Sequence, residues 1–220
     1  MKKVVFPESF NSPNPKTVVL WSGGIDSTGA LYKILKDYPD EVFAHHIHFK
    51  NIENRWEVEK ESVDKMIPWL RKNVRDFEYS ESAIEMDLKF IGWDIMHAMY
   101  IGGLVIGNER LGRHEDLERK RYKLVLGDNA EDFNSYQWKS PIAQLLAIIT
   151  SLKHPQESQD IPYLWQIMAK TSKQDIWDLL PDFLKENIWG CRRPERDDSK
   201  WVECGKCVTC GDLKKIRGDN

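Results

Sequence analysis

Ser22-Gly-Gly-Ile-Asp-Ser27 lies between an apolar run, Lys16-Thr-Val-Val-Leu-Trp21, and a segment where Ala30, Leu31, Ile34 and Leu35 recur at helical spacing. The apolar run suits a buried strand and the periodic segment a helix with one apolar face. Strand, tight turn and helix are therefore predicted in immediate succession. Adjacent glycines let the backbone turn sharply and approach an anion closely. The start of a helix adds unpaired N–H donors and a partial positive charge, so residues 22–28 read as a cradle for phosphate. Ser22, Ser27 and Thr28 contribute hydroxyls, with Gly23, Gly24 and Ile25 supplying backbone. Asp26 would repel phosphate unless it holds a cation, and magnesium is the natural choice. A glycine turn that simply caps a helix has the same local composition.

Two other phosphate loops are excluded. Gly24 and Gly29 have the spacing of a Walker loop, but Ala30 and Leu31 stand where Lys and Ser or Thr are required. The Gly-x-Gly-x-x-Gly pattern of a dinucleotide loop is absent.

Along the rest of the chain, strands are expected at 41–49, 75–80 and 122–127, and helices at 53–73, 93–106, 141–152 and 175–184, the last capped by Ser172. Residues 1–15, with Pro7, Pro13 and Pro15, read as an irregular lead-in, and 110–121 as a solvated charged stretch. Alternating strands and helices imply an α/β fold, a doubly wound parallel sheet whose ligands sit at the carboxyl ends of the strands.

Charge and apolar content bound the partners. The chain has 220 residues, 41% of them hydrophobic, and 32 basic side chains face 35 acidic ones for a net charge of -3. Nucleic acid is not the expected partner for so balanced a chain. The N-terminal apolar run stops at Pro7 and Glu8, too soon for a signal peptide, and the apolar stretch near 95–106 is too short for a membrane span. A cytoplasmic protein is expected.

All four cysteines fall within Cys191-x12-Cys204-x2-Cys207-x2-Cys210. In a reducing compartment such clustering points to metal before disulfide. Four thiolates can close a tetrahedral zinc site of structural role, on the order of 10 kcal/mol in the ordering of the tail. An iron–sulfur cluster uses the same ligands, and spacing alone does not separate the two.

The Ser-Gly-Gly-x-Asp-Ser loop resembles that of the N-type ATP pyrophosphatases. The resemblance implies that residues 22–28 hold the pyrophosphate portion of Mg-ATP while a substrate oxygen attacks the α-phosphate, releasing AMP and pyrophosphate. Loop and cysteine cluster together are similar to the 7-cyano-7-deazaguanine synthase family, which carries a four-cysteine zinc site near its C-terminus. Gly127-Asp-Asn-Ala-Glu-Asp-Phe-Asn-Ser-Tyr136 and Lys170-Thr-Ser-Lys-Gln-Asp-Ile176 resemble stretches of the same family. Its Val-Pro-x-Arg-Asn stretch has no counterpart around 106–110, and Gln137-Trp-Lys-Ser-Pro141 replaces its usual continuation. The implied reaction is activation of a deazaguanine carboxylate for attack by ammonia. A relative that activates a nucleotide, a tRNA base or a protein amine conjugate, and a non-catalytic nucleotide-binding zinc module, are the alternatives. A homodimer is left open.

The expected organisation is a lead-in at 1–15, an ATP pyrophosphatase domain at 16–186 and a zinc-bound extension at 187–220. Lys173 is the expected cation for ATP, ahead of Lys139, Arg192 and Arg193. His45, His46 and His48 lack a metal pattern, and His48 is assigned to the adenine pocket. Asp128, Glu131 and Asp132 follow a strand and are assigned to the acceptor or magnesium. Trp93 and Tyr136 could stack on a flat heterocycle, with Tyr136 the choice for the acceptor.

Overall fold

The computed structural model describes residues 16–86, 94–111, 122–135, 162–198 and 200–218. Tyr136, Trp93, Lys139, the lead-in and the helix expected at 141–152 lie outside these residues. Strand β1 (Lys16–Leu20) is buried along its whole length, as the central strand of a sheet covered on both faces must be. With β2 (Glu41–Lys50), β3 (Glu78–Glu85), β4 (Tyr122–Val125) and β5 (Tyr163–Leu164) it forms a five-stranded parallel sheet in the order β3-β2-β1-β4-β5.

That order dictates where the helices lie. Right-handed crossovers from β1 to β2 to β3 place α1 (Ile25–Asp37) and α2 (Trp56–Asn73) on one face. The return from β3 to β4 reverses the direction of travel, so α3 (Asp94–Leu111) falls on the other face. Alternation along β1 follows suit. Val19 and Trp21 pack with Leu31, Val63 and Met66, whereas Val18 and Leu20 pack with Met99 and Ile106. The reversal between β1 and β4 is the topological switch point, where the loops at the strand ends part and leave a crevice.

Several expected boundaries move, with α2 starting at Trp56, α3 running on to Leu111 and β4 ending at Val125, and two of the changes have a visible cause. Strand β3 starts at Glu78 instead of residue 75, because Arg75 donates to the carbonyls of Tyr38 and Asp40 and ties the preceding segment into a corner. The helix expected at 175–184 is two helices, α5 (Lys173–Leu179) and α6 (Asp182–Asn187). Pro181 disfavours helical geometry at Leu180, which is extended (φ -79, ψ 140). The short α4 (Ala130–Ser135) comes between β4 and β5 in the chain.

The chain ends in a small unit that the sequence did not resolve into elements. An antiparallel hairpin, β6 (Glu195–Asp197) and β7 (Lys200–Val202), precedes α7 (Val208–Arg217), whose Leu213 joins the main core. No described helix is long and apolar enough to cross a membrane.

Candidate functional site

The turn after β1 is built from its own side chains. Trp21 is buried and its indole Nε1 donates to Thr28 Oγ1 at 3.0 Å. Gly23 has φ +80, and a Cβ there would lie 3.2 Å from both Ser62 Oγ and Val63 Cγ2, so conformation and space both call for glycine. Ser22 Oγ and Ser27 Oγ are 3.0 Å apart, and Ser22 N donates to Ser27 Oγ at 3.2 Å. Gly24 occupies the N-cap of α1 and makes no side-chain cap bond. The first turn of α1 thus keeps N–H groups for an incoming anion.

Thr28 is fully buried beneath the loop, with its hydroxyl engaged by Trp21. It braces the turn from below and is not on the open side with Ser22, where a phosphate-binding hydroxyl was expected. Ile25 likewise packs into the core.

The loop after β4 closes on the same turn. A Cβ on Gly127 would lie 2.3 Å from Ser27 N and 2.7 Å from Ser27 Cα, so only glycine lets the two backbones meet. Asn129, fully buried, donates through Nδ2 to Asp26 Oδ1 at 3.1 Å and accepts from Asp132 N at 2.9 Å. Gln166 Nε2 donates to Asp128 Oδ2 at 3.3 Å. Lys173, at the start of α5, brings Nζ to 3.9 Å from Asp26 Oδ2 and 3.6 Å from Asp212 Oδ2, and its backbone N–H donates to Glu131. Ser172 caps that helix by accepting from Asp175 N, as its position predicts.

Burial sets the electrostatics here. It pushes the Asp26 carboxyl up to about 6, against the opposing pull of Lys173 and the Asn129 hydrogen bond. Burial also raises Asp128 and Asp132 above the usual carboxylate range. These three carboxylates line a common cavity without converging on one point. Among the described residues, the four cysteines are the group whose ligand atoms are close enough to share an ion. A cation at Asp26 would therefore need oxygens from a ligand, which is how magnesium is usually held beside phosphates.

The cavity has a volume of about 480 Å³, the size of a small-molecule site. Its walls include Ser22, Gly24 and Ser27 from the loop, and Ile47 and Phe49 from β2. His45 also faces it, fixed by Ser80 Oγ at 2.7 Å and Ser82 Oγ at 2.8 Å. Burial lowers His45 to about 4, so the ring is neutral near pH 7. His48 corrects the sequence reading. Strand alternation turns it to the α2 side, where Nε2 meets Glu81 Oε2 at 2.6 Å, away from the cavity. Alternation along β2 puts His45 on the opposite face, with Ile47 and Phe49.

Four charged residues on the cavity wall went unread in the sequence or were ranked low. Arg55 Nη2 and Arg192 Nη2 both donate to Asp94 Oδ2, at 2.6 and 2.7 Å, and Glu59 lies beside Arg55 Nε at 3.4 Å. Arg192 also pairs with Glu53 at 3.0 Å.

Arg192 follows directly on Cys191. All four Sγ atoms lie within 4.8 Å of one another, with Cys207 to Cys210 at 3.4 Å and Cys204 to Cys210 at 3.9 Å. Cys191 and Cys210 are buried, and Cys191 Sγ accepts from the backbone N–H groups of Arg193 and Cys204. Burial pushes the Cys207 thiol up, but hydrogen bonds led by Thr209 outweigh it and bring it down to about 6. Convergent sulfurs with N–H donors are what a thiolate metal site requires, and these residues fit one. The unit is tied to the loop, since Trp189 N donates to Gly23 O at 3.2 Å and Trp189 Nε1 to Cys191 O at 3.0 Å.

No protein-family model matches the sequence, and no curated protein matches it significantly. Among solved structures the chain is similar to the U34-tRNA thiolase NcsA from Methanococcus maripaludis, determined with its 4Fe-4S cluster, at a TM-score of 0.50 and 16% identity. The similarity covers 92% of this chain and 64% of that one, so the chain spans less than two thirds of its neighbour. It shows that the two share a fold.

Proposed function

We propose that the chain is an adenylating enzyme that binds Mg-ATP at residues 22–28 and splits it to AMP and pyrophosphate, activating a deazaguanine-type carboxylate for attack by ammonia. One observation carries the reading. The uncapped loop Ser22–Ser27 sits at the β1/β4 switch point with Asp26, Asn129 and Lys173 gathered around it.

The residues divide the work. Backbone N–H groups of the first turn of α1, with Ser22 and Ser27, receive the β- and γ-phosphates. Asp26, oriented by Asn129, would hold magnesium together with phosphate oxygens; the ion, when bound, neutralises charge on the departing pyrophosphate. Lys173 supplies the cation that the loop lacks. The acceptor carboxylate oxygen attacks the α-phosphorus, the bond to the β-phosphate bridging oxygen breaks, and pyrophosphate leaves with the electron pair. Ammonia then attacks the acyl carbon, loses a proton and displaces AMP to give the amide. A second ATP would activate the amide oxygen in the same way, and loss of AMP and of both protons from the nitrogen would give the nitrile.

The cysteine unit reads as a structural zinc site. Tetrahedral thiolates about 2.3 Å from one ion are about 3.8 Å from each other. A four-iron cubane places an iron before each thiolate and so spreads the four sulfurs wider than a single ion does. Sulfurs within 4.8 Å favour the single ion, and all four cysteines are then committed. On this reading the site differs from the 4Fe-4S cluster of the neighbour, and no cysteine is left for sulfur transfer.

The test is incubation of the full chain with Mg-ATP, ammonium and 7-carboxy-7-deazaguanine, followed by mass spectrometry. Amide or nitrile with AMP supports the reading. AMP formed only with another acceptor moves the activity to a relative, and ATP binding without turnover leaves a nucleotide-binding module.

A further inference from the structure

Arg55, Glu59, Asp94 and Arg192 line the cavity but have no part in holding ATP in the scheme above. They come from four places: the N-cap of α2, its first turns, the start of α3 and the cysteine unit. Two guanidiniums suggest an anion site at first sight, yet neither is free. Both donate to Asp94 Oδ2, and Arg192 also forks onto Glu53 at 3.0 and 3.2 Å. The arginines are spent on fixing carboxylates.

Arg55 Nε makes no hydrogen bond among the described residues either, but its charge is met by Glu53 and Glu59 at 3.2 and 3.4 Å, so what remains unspent is acceptor capacity. Asp94 Oδ1 is buried and makes no hydrogen bond among the described residues. Glu59 is 5% exposed, and its carboxyl meets Arg55 Nε at 3.4 Å as an ion pair. A buried polar group without a partner costs about 1–3 kcal/mol, and its persistence calls for a cause. Burial, opposed by Arg55, holds the Glu59 carboxyl up at about 7, so N–H donors reaching it would recover part of that cost. The same cavity offers flat apolar surface from Ile47, Phe49 and Ile95.

We propose that Glu59 and Asp94, held in place by Arg55 and Arg192, form the subsite that reads the acceptor's ring by accepting hydrogen bonds from adjacent N–H donors. The ligand class is a planar heterocycle presenting a ring N–H next to an exocyclic amine, as a 2-aminopyrimidinone does. Such an edge matches carboxylate acceptors, whereas a ring lacking the amine leaves an acceptor buried and unpaired. The inference rests on the deazaguanine reading of the acceptor and assigns it a wall of the cavity.

Isothermal titration of the wild-type chain with 7-carboxy-7-deazaguanine and its 2-desamino analogue tests it. The amino compound is expected to bind at least about tenfold more tightly, the scale of losing one hydrogen bond from a site built for it. Glu59→Gln, which replaces one acceptor oxygen by a donor, should erase the preference, and Asp94→Asn should reduce it; far-UV circular dichroism checks that each variant is folded. Equal affinities in the wild type, or a preference that survives in folded Glu59→Gln, would overturn the subsite and leave the adenylation reading intact. Failure of both compounds to bind, with Mg-ATP still binding, would overturn the subsite and the deazaguanine acceptor together.

Discussion

Asn129 Nδ2 donates to Asp26 Oδ1 at 3.1 Å, joining the loop after β4 to the first turn of α1 across the switch point of the sheet. The same side chain accepts from Asp132 N at 2.9 Å and so caps α4. Asn129→Ala removes both bonds from a fully buried position. The expected cost is about 1–3 kcal/mol, read as a lower urea midpoint, with weaker ATP binding because Asp26 is no longer oriented. An unchanged midpoint would show that the contact is not made in solution.

Asp26 gives a pH signature in the absence of ligand. Burial holds its carboxyl at about 6, above the ordinary value of 3.8, so the folded state holds the proton more tightly than the unfolded chain. The penalty of ionising it is absent below about 4, grows between about 4 and 6, and is complete above that, at about 3 kcal/mol. Asp26→Asn should therefore raise the melting temperature at pH 8 and lose most of that gain at pH 4. A gain independent of pH would mean that Asp26 is not buried as described.

Gly127 admits no side chain. Its Cβ would strike the backbone of Ser27 and Asp26, at 2.3 to 2.8 Å, where no rotamer change relieves the clash. Gly127→Ala should cost about 1–3 kcal/mol or more and separate the two loops, so that nucleotide affinity falls along with stability. Full retention of ATP affinity in a folded Gly127→Ala chain would contradict this packing.

Metal content separates zinc from an iron–sulfur cluster. Elemental analysis should find one zinc per chain, and Cys210→Ser or a strong chelator should remove it and lower the melting temperature. Nucleotide affinity should weaken too, because Trp189 N holds Gly23 O and Arg192 reaches the cavity wall from beside Cys191. Four irons per chain would overturn the single-ion reading.

The glycine turn at Ser22–Ser27 and the cysteine cluster were legible because each depends on a few residues at fixed spacing with a local mechanism. The strand before Ser22 and the helix after it followed from periodicity, and so did the doubly wound sheet. His48 shows where such reading stops. Alternation separates His45 from His48, but which of them faces the cavity depends on β3, where Ser80 and Ser82 meet one and Glu81 meets the other. Pro181 carried the signal that divides α5 from α6, and the apolar spacing across it masked that signal. Arg55, Glu59 and Asp94 were not legible, since isolated charges near helix starts ordinarily face water. Only the packing of α2, α3 and the cysteine unit together turns them inward.

The central claim is cleavage between the α- and β-phosphates at the Ser22–Ser27 loop, and phosphorus NMR of the products reads it directly. With Mg-ATP, ammonium and the acceptor, the account predicts AMP and pyrophosphate in equal amounts, lost in Asp26→Ala. ADP and orthophosphate as the products, or undiminished AMP formation by Asp26→Ala, would contradict it.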